Sequence, residues 1–172
     1  DKEIANVAEE YGAKVPFFRS GENSTDYASL SDVIEEVKKF YLDINVIFNN
    51  ICCILPTAPL ITVDSLKKAF SILIENKNID SVRPVVRYSY PVQRAVRIKD
   101  GKIEMVFPEN RYTRSQDLEP TFHDSGQYYW MKFSSGLKGN NRYAFEIPEL
   151  FAQDIDNESD WRLAELKYKN IH

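Results

Sequence analysis

Apolar residues recur at helical spacing in four stretches of the chain, and gather into short runs or alternate in the others. Ile4, Val7 and Ala8 share a face over residues 1–11, a helix expected to be capped by Asp1 and ended by Gly12. Val33, Ile34, Val37 and Phe40 do the same over 30–41. A third helix is expected over 63–76 with Thr62 as its cap. The last is expected over 159–169, with Asn157 as cap, Glu158 and Asp160 near its start and Lys167 and Lys169 near its end, as the helix dipole favours. Residues 14–18 form a short apolar strand pattern. The run from Asn50 to Leu55 suits a strand buried on both faces. Pro56 and Pro59 stop it, since neither donates to a ladder and each restricts the residue before it. The result is strand, sharp turn, helix. In an open α/β sheet such a turn lies at the carboxyl ends of strands, where ligands bind.

The rhythm changes after residue 80. A strand is expected over 81–86, and the segments 92–98 and 102–107 alternate around Lys99-Asp100-Gly101, a hairpin signal. Residues 108–120 read as loop, 127–132 as an aromatic strand, the region near Ser134 as a short helix and 142–147 as a further strand. The helix–strand alternation of the first half predicts a mostly parallel sheet flanked by helices. The expectation is one α/β domain over 1–172, with an antiparallel excursion inserted at about 84–122. The chain opens inside a helix pattern, whereas such domains open on a strand. The natural amino terminus is therefore expected upstream of Asp1.

Composition narrows the function classes. With a formal charge of −4 over 172 residues and no Lys/Arg run, a nucleic-acid partner is not expected, and the surface reads as that of an ordinary acidic bacterial or cytosolic protein. Cys52 and Cys53 are the only cysteines; as strand neighbours they point to opposite faces, so neither a disulfide nor a metal pair is expected. They read as buried small hydrophobes in a reducing compartment, which predicts a cytoplasmic protein. No run reaches membrane-spanning length and no signal-peptide pattern is visible, so no membrane partner is expected.

Three groups of residues offer chemistry. In Asp154-Ile155-Asp156, extended backbone would put both carboxylates on one face, a pair able to hold a hard divalent cation and through it a phosphate. Spacing alone leaves open whether they hold a cation or merely cap the last helix. Arg19 and Asp26 lie in a loop after a strand pattern, where an arginine can grip phosphate or carboxylate, or simply face water. His123-Asp124-Ser125 contains the residue types of a hydrolase triad, but sequence neighbours seldom make one, and no Gly-x-Ser-x-Gly elbow occurs. His123 as a metal ligand has only the terminal His172 for company.

Larger blocks carry a family resemblance. Asp1-Lys2-Glu3-Ile4-Ala5, Tyr11-Gly12-Ala13 and Phe17-Phe18-Arg19 resemble the segment after the first strands of the CMP-sialic-acid synthetase family. Leu55-Pro56-Thr57-Ala58-Pro59-Leu60 resembles its Gln-Pro-Thr-Ser-Pro-Leu, and Asp154-Ile155-Asp156, Asp160-Trp161 and Ala164-Glu165 resemble its closing motif. Within it, Tyr90-Pro91-Val92-Gln93-Arg94-Ala95, Arg114-Ser115-Gln116-Asp117-Leu118 and His123-Asp124-Ser125-Gly126-Gln127-Tyr128-Tyr129-Trp130 resemble the pseudaminic acid cytidylyltransferase branch, which carries Arg-Ser-Gln-Asp-Leu and His-Asp-Ala-Gly-Gln-Phe-Tyr-Trp.

The resemblance implies a Rossmann-like nucleotide-diphospho-sugar transferase fold and an enzyme that joins CMP from CTP to a nine-carbon keto-acid sugar, activating it for surface or flagellar glycosylation. It implies Mg²⁺ held by Asp154 and Asp156, with Arg19 and Asp26 at the nucleotide. Pro56, Thr57 and Ala58 would form a wall near the sugar, Gln127 and Tyr129 would line its pocket, and Arg114 would reach the keto-acid carboxylate. The excursion would exchange between two subunits of a homodimer. The departures are Leu55 where the family has Gln, Ser20 where it has Pro, and no Ile-Pro-Ala-Arg-x-Gly-Ser-Lys loop. That loop holds the CTP phosphates, so residues 1–172 alone are expected to be catalytically crippled. CMP-N-acetylneuraminate synthesis, a non-catalytic nucleotide- or sugar-binding domain and a hydrolase built on His123 stand as alternatives.

Overall fold

The computed structural model describes residues 1–171, and His172 lies outside them. Helix α1 (Lys2–Glu10) is capped by the Asp1 carboxylate, which accepts from the amides of Glu3 and Ile4. Helix α2 (Leu30–Asp43) opens on a capping box between Ser29 and Asp32. Strand β1 (Asn50–Ile54) runs into the proline turn, and the Thr62 hydroxyl caps α3 (Val63–Glu75) as expected. Strand β2 (Ser81–Arg87) follows. Residues 88–121 then leave the sheet and carry a hairpin of their own, β3 (Val96–Lys99) and β4 (Lys102–Met105). Its turn residues Asp100 and Gly101 both have positive φ, the geometry a two-residue hairpin turn requires. The chain re-enters through β5 (Phe122–Asp124), β6 (Tyr128–Lys132) and β7 (Arg142–Glu146), and ends in α4 (Glu158–Ile171).

The sheet is not mostly parallel. β6 pairs antiparallel with both β1 and β2, β5 pairs antiparallel with β2, and only the β2–β7 ladder is parallel. The strand–helix–strand unit from β1 to β2 does send both strands the same way, but β6 is inserted between them. Helix alternation reveals strand direction and is blind to an insertion from later in the chain. The expected strand at 14–18 has no ladder partner among the described residues. Phe17 instead stacks on Phe40 of α2, with ring centroids 4.2 Å apart, so its apolar surface is covered by a helix.

One irregularity shapes everything downstream. β5 and β6 lie along the same edge of β2 but out of step. Continuing the β6 register would set Gln127 opposite Val85, whereas Asp124 stands there. Residues 125–127 are therefore looped out, a bulge in which Gly126 takes φ +66°. Packing elsewhere is regular. Ala69 and Leu73 of α3 cover Val82 and Val86 of β2 together with Tyr128, Phe145 and Ile147. The Tyr128 hydroxyl meets Ser65 at 2.6 Å, and the Trp130 indole donates to the Leu66 carbonyl at 3.1 Å. Both polar tips are thus satisfied inside the core. Among the described residues no helix is long and apolar enough to cross a membrane.

Candidate active site

Three segments distant in sequence meet at the carboxyl ends of β1 and β2. The turn after β1 is closed by the Leu55 amide donating to the Gln127 carbonyl (2.8 Å) and the Ala58 amide to the Leu55 carbonyl (3.3 Å). The Thr57 carbonyl accepts from the Ile155 amide at 3.1 Å, tying that turn to Asp154-Ile155-Asp156. From the third side the bulge presses Gly126 against Asp154: a Cβ on Gly126 would lie 2.9 Å from Asp154 Oδ2. These segments surround an open cavity of about 590 Å³ whose walls include Leu55, His123, Gly126, Tyr129, Asp154 and Asp156.

The two aspartates are not the cap of α4. Asn157 Oδ1 accepts from the amides of Ser159 and Asp160, and Asp160 Oδ2 accepts from the amides of Asp156 and Asn157. Capping is complete without the Asp154 and Asp156 carboxylates. Both are exposed, and neither takes part in any ion pair among the described residues.

Tyr129 also lines the cavity. The Arg83 guanidinium lies over its ring at 4.8 Å and pairs with Asp124 at 3.0 Å. Burial, reinforced by the Asp124 charge, pushes the Tyr129 phenol up to about 12, so it stays a protonated donor. Asp124 also accepts from the Gly126 amide at 3.0 Å, which fixes the bulge. The Ser125 hydroxyl within it is buried with no hydrogen-bond partner among the described residues, at a position where the resembling branch has alanine. His123 faces the cavity, but its Nδ1 meets the Asp124 carbonyl at 2.9 Å and its ring packs on Tyr88. No nucleophile–base pair involves it among the described residues, so the hydrolase alternative loses its geometry.

Other expected residues stand apart. Gln127 is buried with its amide on the Phe151 carbonyl, on the α3 side of the sheet and away from the cavity. The bulge explains this, because it breaks the alternation that would set Gln127 and Tyr129 on one face. Pro56 is exposed, Thr57 half-buried and Ala58 buried; Leu55 is the residue of that turn that lines the cavity. Arg19 and Asp26 are exposed and do not line it. Arg114, on the excursion, makes a two-bond pair with Asp117 at 2.7 and 3.1 Å. Its neighbours Ser115 and Gln116 line an adjoining cleft of about 500 Å³ that shares Val86 and Glu149 with the first. The cysteines are free and half-buried, not fully buried; burial raises both thiols, Cys52 to about 12, which leaves neither as a thiolate. Lys167 went unnoticed in the sequence beyond its helix-end charge. It lines the cavity, and the only hint was its spacing of two helical turns from Asp160.

A family model described as cytidylyltransferase matches residues 1–147. The chain belongs to the cytidylyltransferase family. It is 34% identical over 179 residues to the pseudaminic acid cytidylyltransferase of Campylobacter jejuni subsp. jejuni serotype O:2, covering 100% of this chain and 76% of that protein. It is 26% identical to the CMP-N,N'-diacetyllegionaminic acid synthase of Legionella pneumophila, over 95% of this chain and 73% of that one. It is 32% identical to N-acylneuraminate cytidylyltransferase A of Danio rerio, over 95% of this chain and 38% of that one. Among solved structures, CMP:2-keto-3-deoxy-manno-octonic acid synthetase complexed with CTP superposes with a TM-score of 0.61 at 10% identity, over 99% of this chain and 78% of that chain. That likeness establishes the nucleotide-sugar synthetase fold for this cytidylyltransferase chain. The 34% relative confirms the branch that the Arg114 and His123 blocks resemble.

Proposed function

We propose that this cytidylyltransferase transfers CMP from CTP to a nonulosonic acid, with pseudaminic acid as the preferred acceptor. The observation that carries the reading is the convergence of Leu55 at the turn after β1, the Gly126 bulge and the Asp154/Asp156 pair on one cavity at the carboxyl ends of strands. The anomeric hydroxyl oxygen of the sugar bonds to the α-phosphorus of CTP, the α–β phosphoanhydride breaks, pyrophosphate leaves and the hydroxyl proton passes to solvent. Positioning and charge neutralisation dominate such transfers.

Two exposed carboxylates that take part in no ion pair among the described residues fit Mg²⁺, which binds through one or two carboxylates and completes its shell with water and phosphate oxygens. When bound, it would draw charge off the triphosphate and the leaving group. The Tyr129 phenol, held protonated, would donate to the acceptor or a phosphate oxygen in the same cavity. The roles of Arg19 and Asp26 at the nucleotide, of Pro56, Thr57 and Ala58 near the sugar, and of Arg114 at the acceptor carboxylate rest on the resemblance. Gln127 would act through the backbone, its carbonyl anchoring Leu55.

The full-length protein, given CTP, Mg²⁺ and pseudaminic acid, is expected to release pyrophosphate, with N-acetylneuraminic acid at least about 10-fold poorer in kcat/KM. A difference of that size takes only about 1.4 kcal/mol of differential transition-state binding. Release with N-acetylneuraminic acid alone would keep the chemistry and overturn the acceptor. Folded, full-length protein silent with both sugars would favour a binding module.

The same reading includes a homodimer built through residues 88–121. Ile98 and Ile103 face each other across the hairpin and stand 77% and 73% exposed, an apolar pair that one chain leaves uncovered. Burying each would contribute roughly 1.5–3 kcal/mol. Sedimentation should give a dimer, and the double variant Ile98→Asp, Ile103→Asp should give a monomer. A wild-type monomer at micromolar concentration would remove this part of the proposal.

A further inference from the structure

Helix α4 grips the segment that carries Asp154 and Asp156 at both ends. Asp160 and Lys167 stand about two turns apart and so share one helix face. At one end Asp160 Oδ2 accepts from the backbone amides of Asp156 and Asn157, each at 3.1 Å. At the other, Lys167 Nζ donates to the carbonyl oxygens of Ala152 (2.6 Å) and Glu149 (3.1 Å). Ala152 is buried against the core, so the lysine ties the segment to a fixed point. Burial lowers the Lys167 pKa, opposed by the charge of Glu149, so the ammonium is held there against a desolvation cost. Hydrogen bonds from a charged donor are the stronger kind, and two of them converge on one turn of backbone.

We propose that Lys167, working with Asp160, is a positioning residue for the cation site formed by Asp154 and Asp156. The inference rests on the cytidylyltransferase reading for its identification of those carboxylates as the cation site. The Lys167 ammonium is committed to the two main-chain carbonyls of Glu149 and Ala152. It fixes the backbone from which both carboxylates project, as groups behind metal ligands do when they set ligand orientation.

Charge gives the test its sign. Lys167 lines the same cavity as the acid pair, so its ammonium repels a cation bound there. Removing the ammonium would tighten cation binding if charge were its only influence. A positioning role predicts the reverse.

The experiment is a Mn²⁺ titration of the full-length protein, followed by electron paramagnetic resonance. Asp156→Ala is expected to remove the site. Lys167→Met is expected to weaken Mn²⁺ binding about 10-fold, the lower end of the usual cost of losing a group behind a metal ligand. Lys167→Arg, which keeps charged donors, should retain most of the affinity. Lys169→Met removes a lysine from the same helix that makes no hydrogen bond to the acid segment, and should change nothing. Lys167→Gln, which keeps a neutral donor, carries the same test with a smaller loss if the methionine variant does not fold. Equal or tighter Mn²⁺ binding by the folded Lys167→Met variant, or by Lys167→Gln where the methionine variant does not fold, overturns the proposal. Wild-type protein that binds no Mn²⁺, or Asp156→Ala that binds like wild type, instead overturns the reading of the acid pair on which it rests.

Discussion

Asp156→Ala in the full-length protein should abolish Mg²⁺-dependent pyrophosphate release while leaving the fold intact. The argument turns on how the two halves of Asp156 are used. Its backbone amide donates to Asp160, and that bond survives the substitution. Its carboxylate is exposed and takes part in no hydrogen bond or ion pair among the described residues, so its loss removes no structural contact. Stability should therefore stay within about 0.5 kcal/mol of wild type, as for surface changes away from special features. Activity should fall much further. If the bound cation supplies about 4 kcal/mol of charge stabilisation in the transition state, losing one of its two protein ligands costs on the order of 10³-fold in turnover. Melting and initial-rate measurements on the same preparation separate the two effects. Near-normal turnover would refute the metal role, and a collapse of the melting temperature would return Asp156 to a structural one.

What the sequence disclosed was chemistry confined to a few neighbouring residues. The Thr62 and Asn157 caps and the Asp100-Gly101 turn all depend on groups within four residues of one another, and each formed as expected. Features that depend on a distant partner did not read out. The 14–18 run is apolar enough for a strand, but a strand exists only where another strand meets it, and here α2 arrives first. β5 is three polar-flanked residues, unremarkable until β2 supplies the ladder. The site divides in the same way. Asp154 and Asp156 were visible because carboxylates at alternate positions suggest a cation, and the resemblance agreed. Lys167 was not, because its partners are main-chain carbonyls that every residue possesses. Gln127 was assigned to the sugar pocket by the resemblance alone, and no local pattern announces the bulge that turns its side chain to the Phe151 carbonyl.

That bulge is the ground for the second large effect, expected from Gly126→Ala. Two costs arise, and they fall on different properties. Gly126 has φ +66°, a conformation in which alanine is disfavoured by roughly 1–2 kcal/mol. For a domain of this size that is a drop of about 2–8 °C in melting temperature. The new methyl would also sit 2.9 Å from Asp154 Oδ2 and 3.2 Å from its Cγ. Because Asp154 is an exposed carboxylate, it would swing aside at little energetic cost, taking a group proposed to hold the cation out of place. A displacement of about 1 Å at a reacting centre can cost on the order of 10²-fold, so turnover should fall about 10–100-fold. Gly12 supplies the control, since it also has positive φ (+89°) but a Cβ there meets nothing within 4 Å. Gly12→Ala should show the loss of stability without the loss of turnover. If the two variants lost activity equally, backbone strain alone would account for Gly126, and its contact with Asp154 would have no part in positioning the site. A Gly126→Ala enzyme that melts lower but turns over normally would show that Asp154 can bind from more than one position, and would leave Asp156 as the dominant ligand.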